Sequence, residues 1–228
     1  SIVTYTGQGT QTGKTVGHGL GAVPKMIISK DRGSTSNVPT WRIYHEALGN
    51  TKYMELQSGA AVSTYNDWDN TTPTSSVYSV GGAGGYTPTN TNLANYVAYV
   101  FADVQGYSRF GSYVGNGQTQ EGPFVYTGFK PAFVMIKNTE TASRNWYIYD
   151  IKRRAFNSNG SVLSANAATA EADDQAIDIF SNGFRVRPEG VVSGYGTSTV
   201  NHNSQKFIYA AWAENPFVTS TGVPGTAL

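Results

Sequence analysis

The stretch Gly21-Ala-Val-Pro24-Lys-Met-Ile-Ile-Ser-Lys30 returns 107 positions later as Gly128-Phe-Lys-Pro131-Ala-Phe-Val-Met-Ile-Lys137. In each copy a proline precedes a nearly continuous apolar run closed by lysine, the pattern of a central strand that begins where no ladder bond is lost. Outward from this pair, further blocks repeat in the same order. Tyr5-Thr-Gly7-Gln-Gly9 returns as Tyr113-Val-Gly115-Asn-Gly117, shifted by 108, and Trp41-Arg-Ile-Tyr44 as Trp146-Tyr-Ile-Tyr149, shifted by 105. Leu56 with Ala60-Ala61 answers Leu163 with Ala167-Ala168, and Tyr96 to Asp103 answers Phe207 to Glu214, shifted by 111. The drifting offset places insertions between blocks and keeps the blocks themselves intact. The expected fold is therefore all-β: two tandem homologous antiparallel β-sandwich-like units with long loops, residues 1–112 and 113–228. Trp41-Arg-Ile-Tyr alternates, which suggests a sheet with one covered face and one wet face.

Between the blocks run long polar segments: Lys30 to Thr40, Tyr65 to Ser76, Gly81 to Asn95, and Arg187 to Gln205. Lengths of this kind point to binding surfaces or subunit contacts. Ser164 to Phe180, rich in Ala, is the segment expected to be helical, and its counterpart Ser58 to Asn66 is expected to be a turn or loop.

Composition narrows the partners. Charged residues are 14% of the chain, well below the ~25% of an average soluble domain, and sixteen Lys and Arg face fifteen Asp and Glu for a net charge of +1. Without a basic field the chain is not expected to bind nucleic acid or anionic lipid. Its apolar runs are too short to insert in a membrane. With no cysteine, disulfides, thiolate nucleophiles and cysteine-bound metals are excluded. A chain beginning at Ser1 is also compatible with a processed form.

The residues offer no expected catalytic constellation. Asp67 with Asp69, and Asp173, Asp174 and Asp178, lie in polar stretches where they read as solvated charges rather than a glycosidase pair. His18, His45 and His202 have no nucleophile-elbow serine near them, and His45, at the repeat position of Asp150, reads as a surface residue after a strand. Asp67-Trp-Asp69-Asn70 sets oxygen ligands at alternate positions as calcium loops do, yet lacks the glycine and distal glutamate of an EF-hand. Gly81-Gly-Ala-Gly-Gly85 lacks the Lys-Ser/Thr of a phosphate loop and reads as a flexible turn. No enzyme, cofactor or metal is expected.

The remaining signal is aromatic. Trp41, Trp146, Tyr44, Tyr149 and Trp212 belong to the repeat blocks and read as packing residues. Tyr65, Trp68, Tyr78, Tyr86 and Tyr195 lie in or beside polar loops that the duplication does not explain. Contact with a sugar or protein partner and simple loop packing both stand for these. The candidate ligand- or partner-binding residues are Tyr65, Asp67, Trp68, Asp69, Tyr86 and Tyr195.

Several motifs together carry a resemblance: Gly-x-Gly at 7–9, Gly-Leu-Gly-x-Val-Pro-x-Met-Ile-Ile-x-Lys at 19–30, Trp-x-Ile-Tyr at 41–44 and Tyr-Val-Ala-Tyr-x-Phe-Ala at 96–102. To these are added Gly-Tyr-Ser-x-Phe-Gly-Ser-Tyr-x-Gly-Asn-Gly at 106–117, Gly-Phe-x-Pro-Ala-Phe-Val-Met-Ile-Lys at 128–137, Ser-Asn-Gly-Phe at 181–184 and Ile-Tyr-Ala-Ala-Trp-Ala-Glu-Asn-Pro-Phe at 208–217. The chain resembles a domain common in virion proteins of tailed bacteriophages, notably those of aquatic bacteria, and its ending resembles a natural C-terminus of that domain. The resemblance implies a non-enzymatic structural protein at the virion surface, a tail fibre presenting loops for host attachment. The alternatives are a capsid decoration or cement protein and a carbohydrate-binding module of a bacterial secreted protein. It implies other virion proteins as partners, with a homo-oligomer, a trimer favoured, and a host surface glycan as further expectations.

Overall fold

The computed structural model describes residues 1–33, 40–118, 121–153, 157, 161–173, 176–187 and 200–215. They form seventeen strands in two compact units, Ser1–Ala102 and Asp103–Leu228. The first unit holds β1 (Ile2–Thr6), β2 (Lys14–Gly17), β3 (Met26–Asp31), β4 (Trp41–His45), β5 (Lys52–Glu55), β6 (Ser63–Thr64), β7 (Val77–Val80) and β8 (Asn95–Phe101). The second holds β9 (Ser108–Val114), β10 (Phe124–Tyr126), β11 (Pro131–Asn138), β12 (Trp146–Asp150), β13 (Ser161–Ser164), β14 (Ala172–Asp173), β15 (Ile177–Phe180), β16 (Gly183–Val186) and β17 (Lys206–Ala213).

Each unit pairs a six-stranded antiparallel sheet with a small one; the strand orders of the large sheets coincide, and the small sheet of the second unit carries one strand more. The large sheets run β1-β8-β3-β4-β5-β6 and β9-β17-β11-β12-β13-β14; the small ones run β2-β7 and β10-β16-β15. Registers agree as well. Ile27 lies opposite Tyr44 and Val100, as Val134 lies opposite Tyr149 and Ala211. The core of each unit lies between its sheets: Val16, Ile27, Tyr44, Trp68, Tyr78, Val80, Ala98 and Val100 in the first, and in the second a set that includes Val125, Val134, Tyr149, Phe184 and Ala211. Both units are sandwich-like.

The glycine motifs act as a clasp. Gly9 and Gly117 adopt φ of 70° and 61°, and their amides donate to the carbonyls of Asn90 and Asn201 at 2.8 and 3.0 Å. The Oδ1 atoms of those asparagines accept from the amides of Gln8 and Asn116 at 2.9 and 3.0 Å. Above each clasp Tyr5 stacks on Tyr96 and Tyr113 on Phe207, with centroids 4.8 and 5.1 Å apart. Both hydroxyls donate to backbone carbonyls, of Thr89 and Val200, at 2.8 Å.

Four expectations are corrected. The boundary between units lies at Ala102/Asp103 rather than 112/113, because β9 is one continuous strand along β17 and a cut at 112 would sever it. Among the described residues there is no helix: Ser164 to Phe180 supplies the end of β13, then β14 and β15. Ala172 pairs with Val162, and Ala176 and Ile177 enter the core, so burial between sheets overrides the helix propensity of the alanines. The large sheet of the first unit has no wet face at β4, since Ile43 is as buried as Tyr44. Ile43 sits in a cross-strand row with Met54, Ile28 and Tyr99 that shields it. Finally, Leu163 stands opposite Ile148 as Met54 stands opposite Ile43, so the partner of Leu163 is Met54 and not Leu56.

Candidate functional site

Strand β4 turns Arg42 and Tyr44 toward the small sheet, and β5 sets Glu55 directly opposite Arg42 with Tyr53 two residues earlier on the same face. At the corresponding positions the second unit carries Tyr147, Ser164 and Val162. The first unit therefore holds charges, Arg42 and Glu55, where the same scaffold elsewhere holds the ring of Tyr147 and the hydroxyl of Ser164.

Arg42 is almost wholly buried. Its guanidinium carbon lies 4.0 Å from the centroid of the Tyr53 ring, Nε donates to Thr40 Oγ1 at 3.0 Å, and Nη2 donates to Tyr86 Oη at 3.1 Å. Nη1 faces two carboxylates, Glu55 at 3.4 Å and Asp67 at 3.6 Å. Burial alone would lower the pKa of the guanidinium, but Asp67 and the tyrosines outweigh it, and the net shift is upward. Asp67 is fully buried. Burial raises its carboxyl from 3.8 to about 7, with Arg42 opposing and Glu55 adding to the rise. Neither carboxyl oxygen of Asp67 has a hydrogen-bond partner among the described residues; the same holds for Asn66 Oδ1 and Trp68 Nε1. Buried polar atoms left open in one spot are commonly met by ordered water.

A turn at residues 66–71 builds this arrangement. The amides of Asp69 and Thr71 donate to the carbonyls of Asn66 and Trp68, while Asp69 and Asn70 adopt φ of 50° and 46°. Residues of this type tolerate the left-handed region. The reversal drives Asp67 and Trp68 inward. The Asp67 carbonyl accepts from the Gly81 amide and from Thr89 Oγ1, and Asn66 Nδ2 donates to Gly82 O at 3.0 Å. Tyr65 Oη donates to the carbonyl of Tyr86 at 2.9 Å and accepts from the Ala83 amide, with its ring 5.8 Å from that of Tyr86. The two polar loops of the first unit are thus pinned together.

Of the candidate residues, Asp67 and Tyr86 converge on Arg42, and Tyr65 packs against Tyr53 and Tyr86, the two rings that contact the guanidinium. Trp68 does not belong to a contact surface: it is 1% exposed and packs edge-on against Tyr44 with centroids 5.7 Å apart. Asp69 points elsewhere, accepting the Gly13 amide at 2.9 Å. Asp67 and Asp69 consequently do not share a calcium site, and the described residues contain no group of three or more His, Cys, Asp or Glu able to hold a metal. Tyr195 lies outside the described residues, as does Asp174. Tyr78 is a core residue. Asp178 pairs with Arg187 at 2.7 Å. His45, expected at the surface, is buried, its Nδ1 accepting the Ala47 amide at 3.2 Å. His18 is buried too; Nδ1 accepts the Leu20 amide, which leaves Nε2 to donate to Thr74 O. The glycine run is not simply flexible: a Cβ on Gly82 would stand 2.2 Å from Tyr86 O.

The sequence reading overlooked Arg42, Tyr53 and Glu55. The available signal was a charge in the middle of an aromatic strand block whose other copy reads Trp146-Tyr-Ile-Tyr149.

The model of one family, a domain of unknown function (DUF7483), matches residues 1–216. The chain belongs to this family. No curated protein and no solved structure matches the chain. The DUF7483 match spans both units, so the Arg42 cluster of the first and its uncharged counterpart in the second fall within one family domain.

Proposed function

We propose that this chain is a non-enzymatic structural protein of a tailed-phage virion, a fibre component at the particle surface that presents the loops of its first unit to the host. One observation carries the reading. Two sandwiches share the strand order of the large sheet, the clasp and the stacked aromatics, while the charged cluster under the loops occurs in only one of them. A scaffold repeated for stiffness and varied at one set of loops suits a display role, and the resemblance to virion proteins supplies the setting. The half-exposed Tyr65, Asp69 and Tyr86 are the contact residues. Asp67 and Trp68 hold the loops from beneath.

Several copies on one fibre give avidity, and a homo-trimer is the favoured assembly. Light scattering on the purified chain should report a mass three times that of the monomer; a monomer at high concentration counts against this assembly. The purified chain should also compete with phage for adsorption to host cells, and Tyr86→Ala should weaken that competition. No competition from a chain that is present in purified particles would move the assignment to capsid decoration.

A further inference from the structure

The small sheet of the second unit differs from that of the first on its outward side. Val125 and Phe184 lie opposite one another and point into the core, as Val16 and Tyr78 do in the first unit. Alternation then turns Phe124, Tyr126, Gly183 and Arg185 outward, where the first unit carries Thr15, Gly17, Val77 and Ser79. Strand β15 adds Asp178 opposite Arg185 and Phe180 opposite Gly183. The outward face is therefore a small grid: Phe124, Arg185 and Asp178 in one row; Tyr126, Gly183 and Phe180 in the next.

The rings are open to solvent. Phe124 is 43% exposed, Tyr126 65% and Phe180 38%. Phe124 meets Phe180 edge-on with centroids 5.8 Å apart, and the Arg185 guanidinium lies 5.7 Å from the centre of the Phe180 ring. Asp178 is taken by Arg187 at 2.7 Å. Among the described residues Arg185 has no ion pair, so the face presents an aromatic platform beside an uncompensated positive charge. The first unit pairs β2 with β7 as the second pairs β10 with β16, with Thr15, Gly17 and Ser79 at the places of Phe124, Tyr126 and Arg185. This strand pair therefore does not require those side chains, and β15 with Phe180 is, among the described residues, an addition of the second unit.

We propose that this face binds a saccharide bearing a carboxylate, such as a uronic acid unit of an acidic polysaccharide. The C–H face of the pyranose rests on Phe124 and Tyr126, and its carboxylate pairs with the fork of Arg185. Size and charge both select this occupant. At ~200 Å² per aromatic side chain, the exposed rings amount to about 300 Å², which is well below the ~800 Å² per partner of a stable protein interface. The lone guanidinium favours an anionic sugar over a neutral one. The site is built from residues of the second unit alone and does not depend on the particle assignment.

The test is titration of the full chain with trigalacturonate and with neutral α-1,4-galactotriose, followed by calorimetry and by saturation transfer from the Tyr126 ring protons. Trigalacturonate should bind at least tenfold more tightly than the neutral trimer. Arg185→Ser should abolish that preference, and Phe124→Thr with Tyr126→Ala should remove binding of both, with the circular dichroism unchanged. Equal binding of the two sugars, retention of binding by the ring variants, or no binding would overturn the proposal. So would a change in oligomeric mass on Phe124→Thr, which would assign the face to a second copy. Should the ring variants fail to fold, saturation transfer on the unaltered chain decides: absence of a signal from Tyr126 to trigalacturonate refutes the site.

Discussion

Replacing Asp67 by Asn keeps the shape of the side chain and removes the ionisation. In the folded chain the carboxyl titrates at about 7 against 3.8 for an unperturbed aspartate. A folded pKa raised above the unfolded value contributes stability that is complete below the unfolded pKa and is lost as pH rises through the folded one. Between pH 5 and the folded pKa of about 7 the unfolded chain is already ionised and the folded one is not, so each pH unit removes about 1.4 kcal/mol. The first unit should therefore lose roughly 3 kcal/mol between pH 5 and pH 8 through this residue. Asp67→Asn should hold its stability over that range, because Glu55 remains 3.4 Å from Arg42 to balance the guanidinium. Urea titrations at both pH values, read from amide resonances of β4 and β5 with those of β12 as the reference, measure the difference. An unaltered chain whose first unit gains stability toward pH 8, or a gap from Asp67→Asn that ignores pH, would refute the argument from burial.

Three further outcomes follow from the same packing. Trp68→Ala should destabilise the first unit by about 3–5 kcal/mol and Tyr86→Ala by much less, as read by denaturant midpoints; the reverse order would return Trp68 to the surface. Asn90→Ala and Asn201→Ala each leave clasp amides unpaired and should cost about 1–3 kcal/mol, confined to the unit that carries the change when hydrogen exchange is followed by peptide. Burial lowers Lys137 from 10.5 to about 8, so the unfolded chain binds the extra proton between those values. The second unit should accordingly gain stability as pH rises from 8 to 10.5, a gain that Lys137→Met should remove in urea titrations.

The strands were legible because the repeat preserves what burial requires. Pro24 and Pro131 mark strands β3 and β11, and the Tyr96 and Phe207 blocks became β8 and β17. Pairing registers were less legible: Leu56 resembled Leu163 in letters, yet hydrogen bonding makes Met54 its counterpart, since a ladder counts residues from the turn and not from the alignment. The clasp at Asn90 and Asn201 escaped because its repeat is an Asn-x-Asn pair inside a polar stretch, where composition suggests an unconstrained loop. Trp68 was misplaced for the same reason. Its neighbours are polar, and only the turn at Asp69 and Asn70 sends the indole inward. Arg42 was hidden by the opposite effect, a charge carried within an aromatic strand that its partners Glu55 and Asp67, distant in sequence, make tolerable.

A cryo-electron microscopy map of the intact phage particle tests the central claim most directly. The account predicts density for both sandwiches, in repeated copies at the particle surface, with the loops around Tyr86 facing outward. Particles that lack this density, with the chain recovered only from the surrounding medium, would contradict it.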